Sequence, residues 1–116
     1  TLKEAGRKTK NNNKLVVNLA INYGAKNEII DAVKKINYNS HQITEEKINK
    51  NLYFNYPPPD ILVRTGGQKR LSNFMLWQMA YTEIFFLDKL WPDFTQIDLK
   101  KIINKFHKIK RNFGGI

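Results

Sequence analysis

A chain of 116 residues has room for one domain at most, and it hides a smaller share of its surface than a larger enzyme does. Zero cysteines exclude disulfides and thiolate metal sites, and no run approaches the roughly 20 apolar residues that span a bilayer. The net charge of +10 sits largely on scattered, solvated lysines with no aromatic-interleaved basic motif, which argues against a nucleic-acid module.

Residues 1–14 read as a polar helix tail followed by the turn Asn11-Asn12-Asn13, and residues 15–116 as one unit. The start carries no signal-peptide pattern, so a cytoplasmic or organellar protein, soluble to membrane-peripheral, is expected. Leu15 to Ile21 is rich in β-branched and apolar residues and reads as a buried strand, ended by Asn22-Tyr23-Gly24. A helix follows from Lys26 or Asn27 to about Ile36, with Ile29, Ile30, Val33 and Ile36 on one stripe and Glu28 suited to its first turn. After a loop over Asn37–Gln42, Thr44 caps a shorter helix. Tyr56-Pro57-Pro58-Pro59 forms a stiff connector into a strand at Ile61-Leu62-Val63.

The chain from Asp60 to Glu83 carries the chemistry. Paired glycines, Gly66-Gly67, break the strand where a side chain would forbid the backbone angles. Ser72 reads as the N-cap of an apolar helix from Asn73 to about Thr82. Strand, glycine turn and helix start together have the geometry of an anion site, since free amides and a positive dipole end favour phosphate; a surface turn with incidental basic residues is the alternative. Arg64 and Arg70 flank the turn, and a guanidinium grips phosphate through two parallel hydrogen bonds. A strand at Ile84–Leu87 follows, then a turn at Trp91-Pro92-Asp93-Phe94. Thr95 or Asp98 caps a last helix to about Arg111, striped by Ile97, Leu99, Ile102, Ile103, Phe106 and Ile109. Strands separated by helices imply a mostly parallel α/β sheet, with ligands beyond the strands' carboxyl ends.

Arg64-Thr65-Gly66-Gly67, Arg70-Leu71-Ser72-Asn73-Phe74, Leu76-Trp77-Gln78, Ala80-Tyr81-Thr82-Glu83 and Leu90-Trp91-Pro92-Asp93-Phe94 closely resemble the signature of the cis-prenyltransferases. Asn22-Tyr23-Gly24 with Glu28-Ile29, and the closing Phe113-Gly114-Gly115, extend the resemblance over nearly the whole chain. It implies the C-terminal half of that fold and a role in extending an allylic prenyl diphosphate with isopentenyl diphosphate, toward dolichol- or undecaprenol-type products. It further implies a homodimer and Mg²⁺. Carried over residue by residue, Arg64, Arg70 and Ser72 hold the isopentenyl diphosphate, with backbone amides of Gly66 and Gly67 and support from Asn73. Glu83 is the implied Mg²⁺ ligand. No residue of this half is assigned to bond chemistry.

The departures are also informative. No DGNGRWA-type motif, the family's allylic-diphosphate site, occurs, so this chain alone is expected to be inactive. Ala25-Lys26 replaces Gly-Arg, and Asn112 stands where an arginine precedes Phe-Gly in many members, so that either Arg111 substitutes for it or the contact is lost. The competing reading is a non-catalytic accessory subunit, although such subunits typically lack the elements kept here.

Overall fold

The computed structural model describes residues 1–36, 42–54 and 56–114. Helix α1 (Leu2–Thr9) is the expected polar helix, and none of its residues is buried. Helix α2 (Ala25–Lys35) and helix α3 (Glu45–Asn51) pack on each other through Ala32, Ile36, Ile48 and Leu52, with Val33 and Trp77 laid against them. Thr44 caps α3, its hydroxyl accepting from the Lys47 amide at 3.3 Å. The loop expected at Asn37–Gln42 lies, up to His41, outside the described residues, as does Gly115.

Strands β1 (Ile61–Arg64) and β2 (Glu83–Phe86) pair in parallel, Ile61 opposite Glu83 and Arg64 opposite Phe86. This parallel pair is the sheet of the described residues. A 3₁₀ turn at Trp91–Asp93 leads to helix α4 (Gln96–Phe106). Thr95 is the cap, and it forms a full capping box with Asp98. The helix ends before the expected Arg111 because the chain turns to bring that arginine back onto the sheet. Arg111 pairs with Asp60 at 2.6 Å, donates to the Tyr81 carbonyl at 3.2 Å and lies over the rings of Phe106 and Phe113. It therefore fastens the end of the chain beside the start of β1.

Asp98 also meets Lys89 at 2.8 Å. The Lys89 ammonium, then the Thr95 hydroxyl and amide, hold the Asp98 carboxyl well below the usual carboxylate range. A lowered folded value means a stabilising contribution present above the unfolded value and lost as pH falls toward the folded one. The gap in urea midpoint between the parent and Asp98→Asn is thus expected to be constant above about pH 5 and to narrow below about pH 4. A gap unchanged down to pH of about 3 would count against this carboxyl as the cause.

Two expected elements are corrected. Leu15–Ile21 is not a buried strand: no neighbour supplies a hydrogen-bond ladder among the described residues, and its apolar side chains are 59–76% exposed. The apolar helix at Asn73–Thr82 is a string of turns instead. Ser72, Asn73 and Met75 have φ of 49°, 61° and 44°, left-handed angles that break a right-handed helix. What holds them there is tertiary. The Asn73 carbonyl accepts from the Ala25 amide at 2.8 Å, and its side-chain Oδ1 accepts from the Lys26 amide at 3.0 Å.

Candidate functional site

The site is built on the turn after β1. Gly66 and Gly67 adopt φ of 87° and 73°, as their position in the sequence requires. Their amides, however, donate to the carbonyls of Lys89 and Leu87, each at 2.9 Å. The expectation that these amides face an anion is corrected: they tie the turn to the chain after β2, and Lys89 in turn ties it to α4.

The anion position at a helix start is corrected as well. Ser72 caps no helix, because none follows it. The helix start nearby in space is that of α2, and Asn73 already occupies its first amides. What remains for an anion is side-chain chemistry, and here two of the expected residues, Arg64 and Ser72, meet, together with the backbone carbonyl of Arg70. Arg64 Nη1 donates to the Arg70 carbonyl and to Ser72 Oγ, the latter at 3.0 Å. Those two bonds use both protons of Nη1. Nε and Nη2 have no partner among the described residues, so one edge of the guanidinium is left open with parallel donors. Arg70 is exposed, and its Nη1 donates to Gln68 Oε1 at 2.5 Å.

Glu83 does not join this group. It opens β2 rather than closing a helix, and it sits opposite Ile61 while Arg64 sits opposite Phe86. Three residues of strand put about 10 Å between the two positions, and the alternation of side chains sends them to opposite faces. Its carboxylate is half-buried, with no hydrogen-bond or ion-pair partner among the described residues. No group of three His, Cys, Asp or Glu side chains forms among those residues. Glu83 by itself would offer Mg²⁺ one hard oxygen ligand, which suits an ion that draws its other ligands from phosphate and water. Arg111 is committed to the clamp on Asp60, while Asn112 is exposed.

Glu28 stands in the first turn of α2, as expected, but sequence reasoning missed what it does there. It was read as an acidic residue suited to a helix start, yet it is wholly buried. Its carboxylate accepts from the Tyr23 hydroxyl, from the Tyr53 amide at 2.9 Å and from Gln78 Nε2 at 2.9 Å. It thereby joins α2, the chain after α3 and the turns after Ser72. Burial, followed by the hydrogen bond to Glu28 and its charge, pushes the Tyr23 hydroxyl well above the usual phenol range. The one signal in the sequence was Gln78, a polar residue within an apolar run; Glu28 lies 50 residues before it in the polar stretch Lys26-Asn27-Glu28, so nothing local announced their meeting.

The family model described as undecaprenyl diphosphate synthase matches residues 1–114. An isoprenyl transferase of Fusobacterium nucleatum is 47% identical over 109 residues, 93% of this chain and 47% of that protein. A tritrans,polycis-undecaprenyl-diphosphate synthase (geranylgeranyl-diphosphate specific) of Pyrococcus abyssi is 47% identical over 119 residues, 96% of this chain and 45% of that protein. The crystal structure of a probable undecaprenyl diphosphate synthase from Campylobacter jejuni superposes with a TM-score of 0.87 at 41% identity, covering 98% of this chain and 54% of that one. The lavandulyl diphosphate synthase of Lavandula x intermedia, in complex with dimethylallyl diphosphate, superposes at 0.88 with 32% identity, covering 97% and 52%. The chain spans about half the length of the curated relatives it matches.

Proposed function

The chain belongs to the undecaprenyl diphosphate synthase family of prenyltransferases, and from that premise we propose that it supplies the isopentenyl-diphosphate half of a cis-prenyl elongation site. The observation that carries the reading is the open Nε–Nη2 edge of Arg64, fixed in direction by the bonds of Nη1 to the Arg70 carbonyl and Ser72. Such an edge offers a diphosphate two parallel charge-assisted hydrogen bonds. Arg70, whose carbonyl Arg64 holds and whose exposed side chain meets Gln68, is the second positive charge of this turn.

In the proposed reaction the allylic carbon–oxygen bond breaks and its electrons leave with the diphosphate. The isopentenyl double bond supplies the electrons for the new carbon–carbon bond, and loss of a proton restores a double bond in the cis configuration. Arg64, Arg70 and Ser72 bind and orient the isopentenyl diphosphate, so that its terminal carbon is presented rather than met by chance. Glu83 would hold Mg²⁺, and that ion would supply charge stabilisation for a departing diphosphate. A homodimer is proposed from the family resemblance, and the exposed Leu90 and Trp91 are apolar surface that a second copy or the rest of the protein would cover. No helix among the described residues is long and apolar enough to cross a membrane.

The test is incorporation of labelled isopentenyl diphosphate into a solvent-extractable product by the native gene product, given an allylic diphosphate and Mg²⁺. Product that forms with Mg²⁺ and is lost with excess chelator is expected. No product with any short allylic starter, together with stimulation of a separate synthase, would replace this reading with that of an accessory subunit.

A further inference from the structure

We propose that Asn73 is a positioning residue for the anion site, acting through Ser72 and Arg64 without touching the substrate. The inference deepens the reading above and rests on it for the identity of the ligand, not for the coupling itself. Asn73 was expected to lend the substrate a hydrogen bond. Its two oxygens are instead both spent on α2: the carbonyl on the Ala25 amide at 2.8 Å and Oδ1 on the Lys26 amide at 3.0 Å.

These bonds do for α2 what its own preceding residue cannot. Gly24 stands at the cap position and has no side chain to offer the first amides. A Cβ at residue 24 would lie 2.8 Å from Asn73 Nδ2, so the glycine is also what lets Asn73 approach. Asn73 is thus a helix cap supplied from 47 residues further along the chain than the amide it satisfies.

The interlock has a consequence one residue away. Ser72 and Asn73 are both left-handed, at φ of 49° and 61°, and neither angle is favourable for a residue with a Cβ. Asn tolerates it better than Ser, and the paired bonds to α2 hold Asn73 in place. Ser72, carried along, presents its hydroxyl to Arg64 Nη1 at 3.0 Å. Since that bond and the Arg70 carbonyl aim the guanidinium, the grip of Asn73 on α2 sets the direction of the open edge.

The experiment uses two variants of the native gene product and two readouts. Asn73→Ala loses the Oδ1 acceptor, whereas Asn73→Asp keeps it, and an added negative charge at a helix start is tolerated. The first readout is the Arg64 side-chain Nε–Hε resonance. It is expected to shift or broaden in Asn73→Ala and to stay near its parent position in Asn73→Asp. The second is affinity for inorganic pyrophosphate by calorimetry. Asn73→Ala is expected to bind about tenfold more weakly, and Asn73→Asp within about threefold of the parent. An Arg64 resonance unmoved in Asn73→Ala would overturn the inference whatever the affinities. Equal loss of affinity in both variants would overturn it too, because a carboxylate in direct contact with the anion repels it. A parent protein that ignores pyrophosphate while the Arg64 resonance still responds to Asn73→Ala would sink the functional reading and uphold this coupling.

Discussion

Arg64→Ala is expected to lower kcat/KM for isopentenyl diphosphate by a hundredfold to a thousandfold, roughly 3–4 kcal/mol of lost transition-state binding. Two contributions add. The open Nε–Nη2 edge disappears, and with it two charge-assisted bonds to the diphosphate. The Arg70 carbonyl and Ser72 also lose the donor that gathers them, so the remaining partners of the anion are no longer held together. Arg64→Lys separates the two. It restores a positive charge but not a planar pair of donors, and recovery of less than about a tenth of the parent kcat/KM is expected. Because Arg64 lies at the end of β1 and its side chain reaches the exposed Ser72, the urea midpoint should move little. Steady-state kinetics with the allylic diphosphate saturating decide the matter, and a kcat/KM for Arg64→Ala within about tenfold of the parent removes Arg64 from the site.

The second large effect is on stability. Glu28→Ala is expected to cost about 3 kcal/mol or more, read as a lower urea midpoint at unchanged m. The loss has a specific origin. The Tyr23 hydroxyl, the Tyr53 amide and Gln78 Nε2 all give up their acceptor at once, in a place water does not reach freely. A buried donor without a partner costs about 1–3 kcal/mol, and the side chain's packing is lost in addition. Glu28→Gln keeps the shape and one acceptor oxygen but turns the other into a donor facing donors, so it should recover only part of the loss. A change below about 1 kcal/mol in Glu28→Ala would show that the three donors find other partners and that the hub is dispensable.

The parts of the fold legible in the sequence are those fixed by local chemistry. Thr44 and Thr95 announce helices α3 and α4 because a cap satisfies amides within three residues of itself. Gly66-Gly67 marks a left-handed turn because few other residues accept those angles. The resemblance to the cis-prenyltransferases carried the pairing of Arg64 with Ser72, which the structure brings within hydrogen-bond reach.

The misread parts depend on distant partners. Leu15–Ile21 has the composition of a strand, but a strand takes its hydrogen bonds from a neighbour, and composition names none. Phe74 to Tyr81 has the composition of a buried helix, yet Asn73 is claimed by α2 and Met75 stands at φ of 44°, a left-handed angle that composition does not announce. Gly66 and Gly67 were taken for anion donors because nothing in the sequence says that Lys89 and Leu87 stand across from them.

The long reach of Asn73 to the start of α2 also bears on the order in which the molecule assembles. Contacts between near neighbours form early, whereas closing a long loop waits for the chain entropy it costs to be offset. The proposed anion site, which needs that closure, is therefore expected to form after the local turns, together with the completed start of α2. Loosening the start of α2 and losing the proposed anion site are accordingly expected to go together, as one event of unfolding.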